Sequence, residues 1–238
     1  INNLFANIDD LNSFIIQVLR LLKNDSFLVI ESSYLFFMIN NMIFDFIYHE
    51  HLSYLSINPL SKFMKKFNLE LVHVTKNESK GGSLRYFFKY NSKNNIKSKN
   101  LLEMLTFEPK KEELKNIFIK YNDDIERAKK KLKLFLIKNK TKKIMGYGAS
   151  ATTTTLISHF ELYEYLDCLI DDNPSKINTY SPGFHIPVFS SSYLNSNTPD
   201  IIIIFAWRYS ELIMSKIKNI NCLKVLPLPE FKIINEKN

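Results

Sequence analysis

The sequence predicts an α/β protein whose C-terminal half is a doubly wound parallel sheet. Three observations predict it. Short apolar strands alternate with helices from Lys143 onward, Gly146 and Gly148 stand between such a strand and a helix, and near the start a helical pattern runs into an apolar strand ending in Glu31. Alternation of this kind is the signature of βαβ units. At 238 residues the chain has room for one or two domains.

Composition narrows the class. Hydrophobic residues at 45% and charged residues at 24% describe a globular chain able to bury a core. The longest apolar runs, such as Ile201 to Trp207, fall far short of the roughly 20 residues of a spanning helix, so no membrane partner is expected. No signal-peptide pattern opens the chain, and Cys168 and Cys222 are the only cysteines. A reducing cytoplasm is the expected location. The net charge of +8 raises the question of nucleic acid. The excess is mostly Lys and concentrates between Lys110 and Lys143, where the wet face of a helix explains it, so no nucleic-acid partner is expected. Arg occurs only at 20, 85, 127 and 208, so an Arg in a Gly-rich or aromatic setting is informative. A start on Ile1, in a loop-like stretch, predicts a fragment of a longer protein.

Taken in order, Asp9 and Asp10 suit a helix start, and Leu11, Phe14, Ile15, Val18, Leu19 and Leu22 give its apolar face. Phe27 to Glu31 reads as a buried strand. Its end leaves Glu31 and Tyr34 either near a site, since ligands lie beyond the carboxyl ends of such strands, or merely exposed. Tyr34 to Phe44 reads as core or lid packing, broken at Asn40-Asn41. Asn58-Pro59 starts a helix with Leu60, Phe63, Met64 and Phe67 on one face. Glu70 to Val74 and Ser83 to Phe88 alternate as strands joined through Gly81-Gly82. Residues 91–100 read as a loop or linker, and Lys111 to about Asn139 as a long helix connecting two domains. Lys143 to Gly146, Tyr165 to Asp172, Asp200 to Trp207 and Leu223 to Leu228 are the strands of the second part, with helices at Thr152 to Phe160 and Tyr209 to Ile217. The expected domains are 1–100, a connecting helix over 101–140, and 141–238.

Two constellations could carry chemistry. Gly146-x-Gly148-x-x-Ala151, with Asp171 downstream, matches the dinucleotide fingerprint: glycine lets amides approach phosphate, and an acid reaches a ribose hydroxyl. The alternative is a bare strand-helix turn. Tyr48-His49-Glu50-His51 places an acid and two imidazoles side by side. An imidazole suits proton abstraction near neutral pH, a carboxylate can raise its basicity, and a phenol can stabilise an enolate. A polar loop explains the same residues equally well. Zinc on His49 and His51 lacks a third ligand nearby, so no metal site is expected in the chain.

The segments Ile47 to Tyr54, Gly81-Gly82-Ser83-Leu84-Arg85 and Gly146-Tyr147-Gly148-Ala149 resemble the SAM-dependent sugar C-methyltransferases. So do Asp172-Asn173-Pro174-Ser175-Lys176, Ser181 to Pro187, Ala206-Trp207 and Pro227 to Glu230, in the same order over nearly the whole chain. The resemblance implies a zinc-binding N-terminal domain, a class I methyltransferase domain and a Rossmann-like C-terminal domain that helps hold a nucleotide-sugar. This chain would begin late in the methyltransferase domain, since Asn2 to Asp10 resembles the segment after that domain's fourth strand. It would therefore hold the C-terminal half of a class I methyltransferase fold followed by a second Rossmann-like domain. The zinc and most of the S-adenosyl-L-methionine (SAM) contacts would lie outside it, leaving the fragment inactive alone.

By the same resemblance His51 is the base that removes a proton beside the keto group of a nucleotide-linked 4-keto deoxy-sugar, with Tyr48 and Glu50 assisting. The carbanion then takes the methyl of SAM. Gly146, Gly148, Asp171, Asn173 and Lys176 would face the nucleotide. Asn3, Asn7, Tyr34, Ser83, Arg85 and Trp207 are candidates on the substrate side. Asn7 stands where the family usually has a His, and Ser150 and the threonines after it replace the family's Pro and Gly or Asn. The competing reading is a non-catalytic module that binds NAD or a nucleotide-sugar on the Gly146 turn.

Overall fold

The computed structural model describes residues 1–78, 81–93 and 95–234. The chain forms two units, one of residues 1–43 and 49–119, the other of residues 44–48 and 120 onward.

In the first unit α1 (Leu11–Leu19) starts at Asp10, whose carboxylate accepts the Ser13 N–H at 3.0 Å. That is the cap an acid ahead of an apolar periodic run predicts. The helix ends at Leu19, and Arg20 to Leu22 finish in bonds to the third residue back. β1 (Phe27–Ser33) follows, buried from Ile30 to Ser33. The aromatic stretch forms α2 (Leu35–Asn40), with Phe36 and Met38 inside. Then come α3 (Ile57–Lys65), β2 (Leu69–Asn77) and β3 (Ser83–Tyr90). The sheet order is β1-β3-β2, antiparallel throughout. On the free side of β1 the first residues of the chain add a parallel edge. The Glu31 N–H donates to the Ile1 carbonyl and the Asn3 N–H to the Glu31 carbonyl, each at 2.9 Å. At β1, then, pairing changes from parallel to antiparallel.

The sequence predicts a loop over 91–100 and one helix over 101–140. Asn94 lies outside the described residues. α4 (Lys99–Phe107) begins within the supposed loop, because Ser98 accepts the Leu101 N–H at 3.3 Å and Leu101 and Met104 enter the core. Pro109 then disfavours helix at the residue before it, and α5 (Lys111–Lys138), 28 residues long, starts afresh.

The second unit runs β4 (Ile144–Tyr147), α6 (Ala151–Phe160), β5 (Cys168–Ile170), β6 (Val188–Phe189), α7 (Tyr193–Ser196), β7 (Ile201–Ile204), α8 (Ser210–Lys216), β8 (Leu223–Leu226) and β9 (Lys232–Ile234). Strand order is β6-β5-β4-β7-β8-β9, all parallel except β9. Met145, Tyr147, Cys168, Ile170, Ile202 and Ile204 pack with Leu194 of α7 and Ile213 of α8 in one core cluster. Strand residues alternate in facing, so Ile144, Leu169, Ile201 and Ile203 point the other way, and they too are buried. Burial on both faces explains why these strands read as unbroken apolar runs, and the α/β class follows directly from the sequence. β5 is shorter than Tyr165 to Asp172: Tyr163–Tyr165 curl into a 3-10 turn, and the Asp167 carboxylate accepts the Ile144 N–H at 2.7 Å. Strand order reverses between β4 and β7, which marks the topological switch point of the sheet.

Candidate active site

At the carboxyl end of β1 the first unit gathers several of the expected residues. Glu31, almost wholly buried, faces Arg85 across the β1–β3 ladder and accepts its Nε and Nη2 at 2.9 and 2.7 Å. Asn77 Nδ2 donates to the other Glu31 oxygen at 3.0 Å. Asn3 lies beside this cluster through its amide bond to the Glu31 carbonyl, and Ser83, fully buried, pairs with Ser33. Tyr34 comes next in the chain. Its hydroxyl donates to Glu108 Oε1 at 3.1 Å, and burial together with that carboxylate pushes the phenol far above its ordinary pKa. Glu108 also accepts the Ile57 N–H and, at 3.0 Å, the Asn58 N–H. Tyr34 thus belongs to a cap on α3 rather than to a ligand surface.

The segment after His49 crosses this same strand end. The Ala6 carbonyl accepts the Leu52 and Ser53 amides at 2.9 and 3.0 Å, and the Leu55 carbonyl accepts the Leu35 amide at 2.9 Å. Asn7, next to Ala6, is thereby brought to the level of His51. The His51 and Tyr54 rings lie 4.7 Å apart, tilted by 35°. His51 is half-buried, while the His49 and Glu50 side chains are 83% and 62% exposed and 3.8 Å apart. Glu50 is therefore placed beside His49. Tyr48 belongs to the second unit and His51 to the first, so the expected catalytic residues fall on either side of the division after Tyr48.

The second unit builds its own cluster at the carboxyl ends of β4, β5 and β7. Gly148 has φ +107°, and a Cβ there would stand 2.8 Å from the Ala206 Cβ, so only glycine fits the turn. Gly146 is a packing glycine: a Cβ would meet Phe205 at 2.5 Å and Leu169 at 2.6 Å. Asp171 Oδ2 accepts the Ala149 N–H at 2.7 Å and Lys176 Nζ at 3.2 Å, while Oδ1 accepts the Asn173 N–H at 2.9 Å. The acid expected at a ribose is thus spent on the turn itself. Asn173 and Lys176 join it in one cluster. Asp172 takes Lys216 at 2.6 Å and the Tyr147 hydroxyl at 2.9 Å. Burial raises its pKa, but the bonds from Lys216, Ser191 and Tyr147 outweigh it and hold the carboxyl below its usual range.

Trp207 is buried, and its Nε1 donates to Asp45 Oδ2 at 3.1 Å. Arg208 Nη1 lies 2.9 Å from both Asp45 oxygens, and Nη2 donates to Thr152 Oγ1 at 3.3 Å. Asp45 is fully buried. Burial raises its pKa, Arg208 and Trp207 pull it down, and the net direction is upward. Sequence reasoning missed Asp45 and Arg208 as a pair. The signal available was a rare Arg beside the chain's one Trp.

The sequence model of the family described as the C-methyltransferase C-terminal domain matches residues 78–229, well over half of the chain. The chain belongs to this C-methyltransferase family. A curated relative, the C-methyltransferase NovU of Streptomyces niveus, is 25% identical over 241 residues, covering 98% of this chain and 57% of NovU. The chain therefore spans less than two thirds of that relative's length. Among solved structures, a UDP-D-quinovosamine 4-dehydrogenase from Vibrio fischeri is 14% identical with a TM-score of 0.31, covering 40% of this chain and 94% of that one.

The family match takes in Ser83, Arg85, the Gly146 turn, Asp171 to Lys176 and Trp207, and begins after Tyr48 to His51. A C-methyltransferase needs a methyl donor, which for such enzymes is generally SAM. Gly82, at φ +125°, is closed in by packing: a Cβ there would stand 2.8 Å from the Phe37 Cβ. Among the described residues no three His, Cys, Asp or Glu side chains gather as a metal site. No helix among the described residues is long and apolar enough to cross a membrane.

Proposed function

We propose that this C-methyltransferase acts on the carbon next to the keto group of a nucleotide-linked sugar, a dTDP-4-keto deoxy-sugar by preference, with His51 as the base. The observation that carries the reading is His51 at the carboxyl end of β1, held there by the Ala6 carbonyl through the two residues that follow it. The C–H bond breaks, its proton passes to the imidazole, and the electron pair moves into the carbonyl as an enolate. Such a proton is acidic only because the carbonyl takes up the charge, which is why a keto sugar is the natural substrate. Tyr48 holds the sugar or its enolate oxygen by its hydroxyl. Glu50, beside His49, assists as a nearby negative charge. The enolate carbon then takes a methyl group, which SAM supplies.

Arg85, fixed by Glu31, and the exposed Asn3 and Asn7 are the proposed contacts on the sugar side. Asn173 and Lys176 are the proposed contacts to the nucleotide, with Asp171 shaping the turn that carries them. Gly148 keeps the neighbouring turn after β4 close to Ala206. Ser83, Gly146, Tyr34 and Trp207, all buried, support the walls.

The product of the whole reading frame, given SAM and a dTDP-4-keto deoxy-sugar, is expected to release a methyl-branched sugar detectable by mass spectrometry. His51→Ala is expected to lower turnover about a hundredfold or more, the scale of a lost general base, with SAM affinity kept. Turnover unchanged in that variant would remove His51 from the mechanism.

A further inference from the structure

In an open parallel sheet a ligand binds outside the carboxyl ends of the strands, where their order reverses. In the second unit that place lies between β4 and β7. The turn after β4 presses against Ala206, and the Ala206 N–H donates to the Tyr147 carbonyl at 3.0 Å. Phe205 and Ala206 lead from the end of β7 to Trp207 and Arg208. Both hold an anion that is part of the chain: the fully buried carboxylate of Asp45, with Trp207 Nε1 at 3.1 Å and Arg208 Nη1 at 2.9 Å from each oxygen. Arg208 extends the grip to Thr152, in the first turn of α6.

We infer that Asp45, clamped by Arg208, is a positioning residue for Tyr48, and that the second unit uses the carboxyl end of β7 to grip the chain's own segment 44–48. The inference rests on the C-methyltransferase reading for what Tyr48 does. Four of the five residues are tied down. Phe44 stacks on Phe160 of α6 with centroids 5.2 Å apart and planes 22° apart. Asp45 is clamped as described. The Arg208 guanidinium lies 4.6 Å over the Phe46 ring and 4.8 Å over Trp207. Thr155 Oγ1 donates to the Ile47 carbonyl at 3.4 Å. Tyr48 follows directly, its N–H donating to the Phe46 carbonyl at 3.2 Å and its ring 6.1 Å from the Phe46 ring. A buried carboxylate is tolerated only when paired, and here the pairing is invested in five residues that would otherwise be a loose connection. Positions fixed in this way matter because small displacements of a reacting group slow a reaction steeply.

The test measures proton abstraction without methyl transfer. A dTDP-4-keto-6-deoxyhexose is incubated in D2O, without SAM, with the product of the whole reading frame. Deuterium uptake beside the keto group is then followed by NMR. Asp45→Asn leaves the half-buried Arg208 without its counter-charge, so Asp45→Asn with Arg208→Gln is the second variant, removing both charges together. Far-UV circular dichroism and urea unfolding report whether the protein is folded. The folded double variant is expected to exchange about tenfold to a hundredfold more slowly, with KM within about threefold of the parent. Exchange at the parent rate in the folded double variant overturns the inference and leaves the enzyme reading standing. A parent protein that neither exchanges nor methylates overturns both. If the double variant does not fold, Arg208→Lys, which keeps the charge but loses the planar fork, must show the slowed exchange, and parent-rate exchange there overturns the inference equally.

Discussion

Glu108 shows how much a single exposed-looking residue can hold. It stands just before Pro109, and its two oxygens take the first amides of α3, the Asn58 side chain at 2.8 Å and the Tyr34 hydroxyl. Glu108→Ala removes a helix cap and strands a buried phenol, so a loss of about 1–3 kcal/mol in urea unfolding is expected. Glycines separate in the same way. At Gly183, φ is +80° and nothing stands within 4 Å of an added Cβ, so Gly183→Ala costs about 1 kcal/mol for the backbone conformation alone. At Gly148 the conformation is less accessible and the Cβ collides with Ala206, so Gly148→Ala is expected to lose about 2–4 kcal/mol in the same measurement. Equal losses at the two positions would show that the turn relaxes away from Ala206. The need for glycine at 148 was legible in the sequence from its place between strand and helix. Glu108 was not, because its partners lie 50, 51 and 74 residues away.

At the scale of elements, α5 and α6 meet through a charge cluster with a readable pH signature. Glu161 ends α6 in a left-handed conformation and takes Lys129 at 3.0 Å and Lys133 at 2.5 Å. The hydrogen bond from Lys133 leads the causes that bring its carboxyl down to about 2 from 4.5. A carboxyl depressed in the folded state contributes stability above its unfolded pKa and loses it as pH falls. The contribution is therefore present above about pH 4.5 and fades toward about pH 2. Urea midpoints of the wild type should drop more steeply across that window than those of Glu161→Gln, and salt should narrow the gap, because both partners meet water. Parallel curves would mean the lysines do not hold Glu161 in solution. Most strands and helices were legible because their apolar residues recur with period two or 3.6, as in β3 and α3. α4 was hidden by the polar residues around Ser98, whose capping bond reverses their local meaning. The Tyr165 to Leu166 part of the β5 pattern was misleading, since an apolar run does not say where a 3-10 turn ends.

For the molecule as a whole, the sequence showed the α/β class and the C-methyltransferase family in its motifs, and the sheet orders agree with that class. The candidate site was legible only in part. Tyr48, His51, Arg85 and Gly148 stand out by residue type, but the partners that fix them do not. Glu31 meets Arg85 only once β1 and β3 pair, and Asp45 meets Arg208 across 163 residues. The division between the units has a practical meaning for anyone moving parts of this protein. The chain changes unit after Ile43, after Tyr48 and within α5 after Ile119. No single cut separates the two, and a segment such as 141–238 grafted onto another enzyme would arrive without the strip that covers Phe160 and neutralises Arg208. A transplanted sheet keeps the buried Asp45–Arg208 pair only when residues 44–48 travel with it.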